Sequence, residues 1–154
     1  MKWKLTSLLI LAMTLWSCND DDGNYTTIKG LERLVYLEIK EFRESNGEEG
    51  DFVLQFIMVE EAQLYSFKMA HGDPVDTGGL GDHWDIIHEK LGGSNDQALV
   101  MSTTSADEDG ILDELRALPG ADSILLEDLT QCGVGIETDG EGMNYVTVLL
   151  MLAE

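Results

Sequence analysis

The side chains of this 154-residue chain that could do chemistry are His71, His83 and His88, the cysteines Cys18 and Cys132, the triplet Asp76-Thr77-Gly78, and two acidic knots at 107–109 and 139–142. No two histidines stand four apart on a helix, and 83 and 88 diverge by more than a turn. They therefore make no helical metal-ligand pair, and a surface or packing role is expected for each. Asp-Thr-Gly matches the aspartic-protease triplet. That chemistry needs two such carboxylates sharing a proton and an apolar strand leading in, whereas HGDPV at 71–75 is a loop. Asp107, Glu108 and Asp109 open a helix, where negative charge favours the dipole. Asp139-Gly140-Glu141-Gly142 is a hairpin tip with too few ligands for calcium. Cys132 sits in a strand whose inward face is ambiguous from the sequence, and a buried, inert thiol is expected.

The elements that must hold these residues follow from hydrophobic period and punctuation. Leu31, Leu34, Val35, Ile39 and Phe42 repeat on one helical face until Asn46-Gly47 stops them. The apolar run 52–59 reads as a short extended piece entering a helix from about Ile57 to Ala70, with Ala62, Tyr65 and Met69 on one face. Residues 71–82 are rich in Gly, Pro and Asp and form a loop. A third helix spans 84–91 and closes at Gly92-Gly93. A strand or buried connector covers 98–102. Ser105 with Glu108 suggests a capping box opening a helix that runs through Leu118 and ends at Pro119-Gly120. Two strands, 131–137 and 144–152, flank a Gly-containing turn, and the second is apolar on both faces, as a central strand is. Helices first and a terminal hairpin last give an α+β plan.

The chain carries 30 acidic and 9 basic residues, a net charge of −21. Such a surface repels phosphate backbones, so nucleic acid is excluded as a partner, and a neutral or cationic ligand is compatible. The first 17 residues have a basic start (Lys2, Lys4), an apolar run from Leu5 to Leu15 too short to span a bilayer, and Ser17 before Cys18: the layout of an export signal. LWSC at 15–18 resembles the bacterial lipobox, which implies cleavage before Cys18, lipidation of its thiol, and a membrane partner through that anchor. Loss of Lys2 and Lys4 would leave the chain two units more negative. CNDDDG at 18–23 resembles the acidic tract that sends some Gram-negative lipoproteins to the outer cell face, and a solvated linker explains it equally well. With Cys18 lipidated, Cys132 has no partner, and an apolar core must stabilise the domain without a disulfide. The expected organisation is 1–17 signal, 18–30 lipidated acidic tether, and 31–154 a single domain in the bacterial cell envelope, with the outer-membrane surface as one destination.

Four stretches in order, LVYLEIKEFRESNG at 34–47, VEEAQLYSFKMA at 59–70, LPGA at 118–121, and TQCGVGI with NYVTVLL at 130–136 and 144–150, resemble the CAP superfamily of cysteine-rich secretory, antigen 5 and pathogenesis-related proteins, in particular its small bacterial members. The resemblance covers roughly residues 31–152. It implies a three-layer α-β-α sandwich around a small, largely antiparallel sheet. Family members with a complete cavity hold a divalent cation through two histidines and acidic residues. Matched by position, the first histidine falls at Thr77, within a residue or two, and the second at Ala121. The glutamate of the Gly-Glu-Asn motif falls at Gln97. Neither Ala, Thr nor neutral Gln replaces imidazole or carboxylate well, so the resemblance implies an emptied site, with no metal and no cofactor. His83 could take the first position if the loop register shifted.

The expectation is thus a lipid-anchored, extracytoplasmic CAP-like domain that binds a small molecule, lipid or protein without catalysis. Two other classes remain open from the sequence: an atypical hydrolase of the same fold, and a structural envelope protein.

Overall fold

The computed structural model describes residues 27–154. The expected signal, Cys18 and most of the tether lie outside the described residues. Within them the α+β class and the three-layer order are as expected: helices cover both faces of one four-stranded sheet, ordered β1-β3-β4-β2.

The first helix, α1 (Gly30–Ser45), begins where the Lys29 amide donates to the Glu32 carboxylate at 2.7 Å. Its buried stripe is Glu32, Val35, Ile39 and Arg43. The sequence pattern places Leu34 on that face, but Leu34 is 43% exposed. The inward positions go instead to one carboxylate and one guanidinium, each with partners waiting. Glu32 accepts from the amide of Ile136 and from Gln63, and burial nonetheless pushes its carboxyl above the ordinary carboxylate range. Arg43 lies over the Phe52 ring and donates to the carbonyls of Leu125, Glu127 and Leu129, tying the end of α1 to the chain entering the sheet.

β1 (Val53–Leu54) is two residues long and runs straight into α2 (Phe56–Ala70), as the apolar run predicts. The third helix, α3 (Gly81–Leu91), starts three residues earlier than the periodicity indicates, and β2 (Ser94–Thr103) starts four residues earlier. α4 (Glu108–Arg116) is capped by Asp107, whose carboxylate accepts from the Gly110 amide at 2.8 Å. The expected Ser105 capping box does not form, because the Ser105 hydroxyl donates to Glu114 at 2.6 Å instead. After α4 come the short α5 (Ala121–Leu125), β3 (Gln131–Thr138) and β4 (Asn144–Leu152).

β4 is the central strand. It pairs antiparallel with both β3 and β2, while β1 adds to β3 in parallel. One sheet face, carrying Val134, Ile136, Val146, Val148 and Leu150, packs on α1, α4 and α5. Cys132 shares this face, since 132, 134 and 136 differ by two; the ambiguity read from the sequence is resolved as fully buried. The other face packs on α2 and α3 through Met58, Ala62, Met69, Ile87, Leu149 and Met151. On that side β3 presents Gly133 and Gly135. A Cβ added to Gly133 would lie 2.3 Å from the backbone of Met58, and one added to Gly135 would lie 2.2 Å from that of Ala62. Glycine at these two positions lets α2 lie directly on the strand.

Candidate functional site

Seating α2 on the glycines fixes a row of polar side chains on its α3-facing side. Glu61, Tyr65 and Lys68 are four and three residues apart, so they line one stripe over two turns. His83, in the first turn of α3, faces that stripe. Its Nδ1 lies 2.6 Å from Glu61 Oε2 and its Nε2 lies 2.9 Å from Lys68 Nζ. The side chains of Glu61 and His83 are each 5% exposed, whereas Lys68 reaches solvent. An ammonium only donates, so Nε2 accepts from Lys68 and the ring proton sits on Nδ1, directed at the carboxylate. Tyr65 meets the imidazole edge-on, with ring centroids 5.4 Å apart.

The same tyrosine pins the loop above. Its hydroxyl donates to the Asp76 carbonyl at 2.8 Å and accepts from the Gly79 amide at 3.2 Å. Burial raises the Tyr65 hydroxyl above its ordinary range. Between this loop and α2 opens a cleft of about 400 Å³ lined by Tyr65, Lys68, Asp73, Pro74, Asp76 and the two glycines 78 and 79. Asp76 of the protease-like triplet accepts from the Gly78 amide at 2.8 Å, an Asx turn that shapes the loop.

On the other side of the loop is a second groove, of about 310 Å³, whose walls are Thr77, Leu80 and Trp84 opposite Asp96, Gln97 and Ala98 of β2. Asp96 accepts from His88 at 2.8 Å, and that hydrogen bond, ahead of the charge itself, holds His88 above its ordinary value near 6.5. Gln97 donates to Asn95 at 3.1 Å.

Of the three positions expected to share one cavity, Thr77 and Gln97 do line this groove, and Ala121 does not. Ala121 is 1% exposed and belongs to the apolar cluster on the opposite side of the sheet. The reason is local: the Pro119-Gly120 turn joins α4 to α5, and both pack on the α1 side, so the first residue of α5 points into that core. The Glu61–His83–Lys68 row escapes a reading that weighs the histidines only against one another, since its acid and its amine come from a different helix. A signal exists all the same. His83 and Ile87 are four apart in an amphipathic helix, which puts the imidazole on the buried face, where it needs a partner.

The remaining candidates are structural. Among the described residues no group of three or more His, Cys, Asp or Glu is placed to hold a metal. Burial pushes the Cys132 thiol far up, with Arg43 opposing only weakly, so it is no nucleophile. Asp139 accepts from the amides of Glu141 and Met143 and closes the β3–β4 turn.

No family model matches the chain, and no curated protein matches it. Among solved structures, an outer surface protein from Borrelia burgdorferi is similar in fold, with a TM-score of 0.64 at 14% identity over 79% of this chain and 92% of that one. Among the described residues no helix is long and apolar enough to cross a membrane.

Proposed function

We propose that the chain is an extracytoplasmic, lipid-anchored, CAP-like module of the bacterial envelope that binds a small ligand or partner without catalysis, in the groove between Thr77, Trp84 and Gln97. The observation that carries this reading is the groove itself. It gathers Thr77 and Gln97, the two positions where the resemblance expects a histidine and a glutamate, and sets an indole beside them. An aromatic wall with an amide, a hydroxyl and one carboxylate suits stacking and hydrogen bonding to a neutral or cationic group. The net charge of −21 disfavours anions. An envelope location is supported by the export-signal layout, by the lipobox-like LWSC, and by the fold shared with an outer surface protein of Borrelia burgdorferi.

Two measurements test it. Cys18→Ala should move the protein from the membrane fraction to the soluble fraction while leaving the domain folded; retention in membranes removes the anchor from the reading. Trp3 and Trp16 lie in the expected signal, so in the processed chain Trp84 is the single tryptophan and its emission reports the groove. A saturable change on titration with a neutral disaccharide or a polyamine, abolished in Gln97→Ala, is the expected result. Failure of both probes, or a response indifferent to Gln97, would count against binding at this groove.

A further inference from the structure

The row beneath the other cleft is not used by the binding reading above, and it has the layout of an activated nucleophile: a nucleophile within hydrogen-bond reach of a base that a third group orients. We infer that Lys68 is a reactive amine, with His83 as its proton acceptor and Glu61 as the residue that positions and stabilises the imidazole, and that it condenses with the carbonyl of a small neutral aldehyde entering the Tyr65–Asp76 cleft. The inference stands independently of the function proposed for the Trp84 groove.

Three observations carry it. The distances, 2.9 Å from Lys68 Nζ to His83 Nε2 and 2.6 Å from Nδ1 to Glu61 Oε2, fall within the range such relays require. The base and its carboxylate are buried while the amine opens on a cleft of about 400 Å³, so the nucleophile alone is presented to a ligand. The other described lysines are set differently, with a carboxylate and no imidazole for a partner: Lys29 donates to Glu137 at 2.8 Å, and Lys40 and Lys90 lie 3.8 and 4.0 Å from Glu44 and Glu89. Asp73 and Asp76 at the cleft margin turn away anionic substrates and tolerate a neutral one.

In the step itself, the Lys68 ammonium passes a proton to His83 Nε2, and the imidazolium is stabilised by Glu61. The freed nitrogen pair forms the C–N bond as the carbonyl π pair moves to oxygen. That oxygen takes one proton from His83 and a second from the nitrogen, and leaves as water. The outcome is one aldehyde and one ammonium giving one protonated imine and one water, with no change of oxidation state.

The test is reductive trapping on the full processed chain with benzaldehyde and cyanoborohydride, read by peptide mass mapping. Lys68 should be labelled at least about tenfold faster than Lys40 or Lys90, a modest share of what a positioned base contributes. His83→Gln should bring Lys68 to the rate of Lys40. Glu61→Gln should slow the labelling of Lys68 and not that of Lys40, because the ring loses the carboxylate that orients it, and Glu61→Asp should restore part of the rate. Circular dichroism melts establish that each variant folds; the comparison among lysines in the unmodified protein needs no variant. Labelling of Lys68 no faster than Lys40, or a Lys68 rate unchanged in a folded His83→Gln or Glu61→Gln protein, overturns the inference.

Discussion

The two faces of the sheet are built from the same strands and solve different problems. Toward α1, α4 and α5, β3 and β4 offer Val134, Ile136, Val146, Val148 and Leu150, large side chains that hold the helices off at ordinary packing distance. Toward α2, β3 offers two glycines, and the helix descends until backbone meets backbone. On the first face stability is carried by volume. On the second it is carried by close approach, and closeness is what sets Glu61, Tyr65 and Lys68 at fixed heights for His83 to bridge. A face that holds by filling space tolerates a shifted helix better than a face that must aim side chains.

The most severe way to break this comparison is to remove what both faces share. Deleting residues 145–154 takes away nearly all of β4, whose alternate side chains supply both cores, and the chain should fail to fold. Losing several large buried groups at about 2 to 5 kcal/mol each exceeds a typical net stability of about 5 to 15 kcal/mol. A soluble truncation with a cooperative melt would show β4 to be peripheral. The comparison is sharpened by a matched pair. Leu150→Ala removes three carbons from one face and Gly135→Ala adds one to the other, and each should cost about 3 kcal/mol in denaturant titrations. A near-neutral Gly135→Ala would mean that α2 can lift freely, and the contrast between the faces would fall.

Smaller effects separate the polar devices. His83→Ala strands the Glu61 carboxylate in a buried place and should cost about 2 kcal/mol; a double-mutant cycle with Glu61→Ala should recover most of that as coupling. Smaller still is the His88–Asp96 pair. Its hydrogen bond raises the His88 value in the folded state. The folded protein therefore holds the proton more tightly, and the stabilisation is complete below the unfolded value near 6.5 and lost as pH rises through the folded one. Melting temperatures of the wild type and His88→Gln should differ most in mild acid and converge at alkaline pH. A gap that widens with rising pH would contradict the sign.

Much of the fold is legible in the sequence because its signals are local. The terminal strands reveal themselves by a glycine turn between apolar runs, and β4 reads as central because its apolar residues fall on both faces. What the pattern misreads depends on pairs distant in the chain. Leu34 looks like core, yet the buried stripe of α1 runs through Glu32 and Arg43, whose partners, Ile136 and the carbonyls of 125–129, lie more than eighty residues away. Ser105 loses its capping role to Asp107 two residues on, a contest that propensity alone does not decide. Thr77 and Gln97 line one groove, while Ala121 falls behind the sheet, since a Pro-Gly turn specifies where a helix begins and not which layer it joins.

Beyond Cys132, among the described residues, no strand lies outside β3, because β1 ends after two rungs. An open margin of this kind is where a stray strand adds, and repeated addition is how globular domains seed fibres. Here the Ile136 amide is taken by Glu32, at 3.0 Å, and its carbonyl by the Lys29 ammonium, at 2.8 Å. An intruding strand would find that rung filled, and to dock there it would have to evict a buried carboxylate from three amide donors. Two side chains at the start of α1 thus act as a stopper against polymerisation, and Glu32→Ala, by uncorking the margin, should speed thioflavin-positive assembly by more than its lowered melting temperature accounts for.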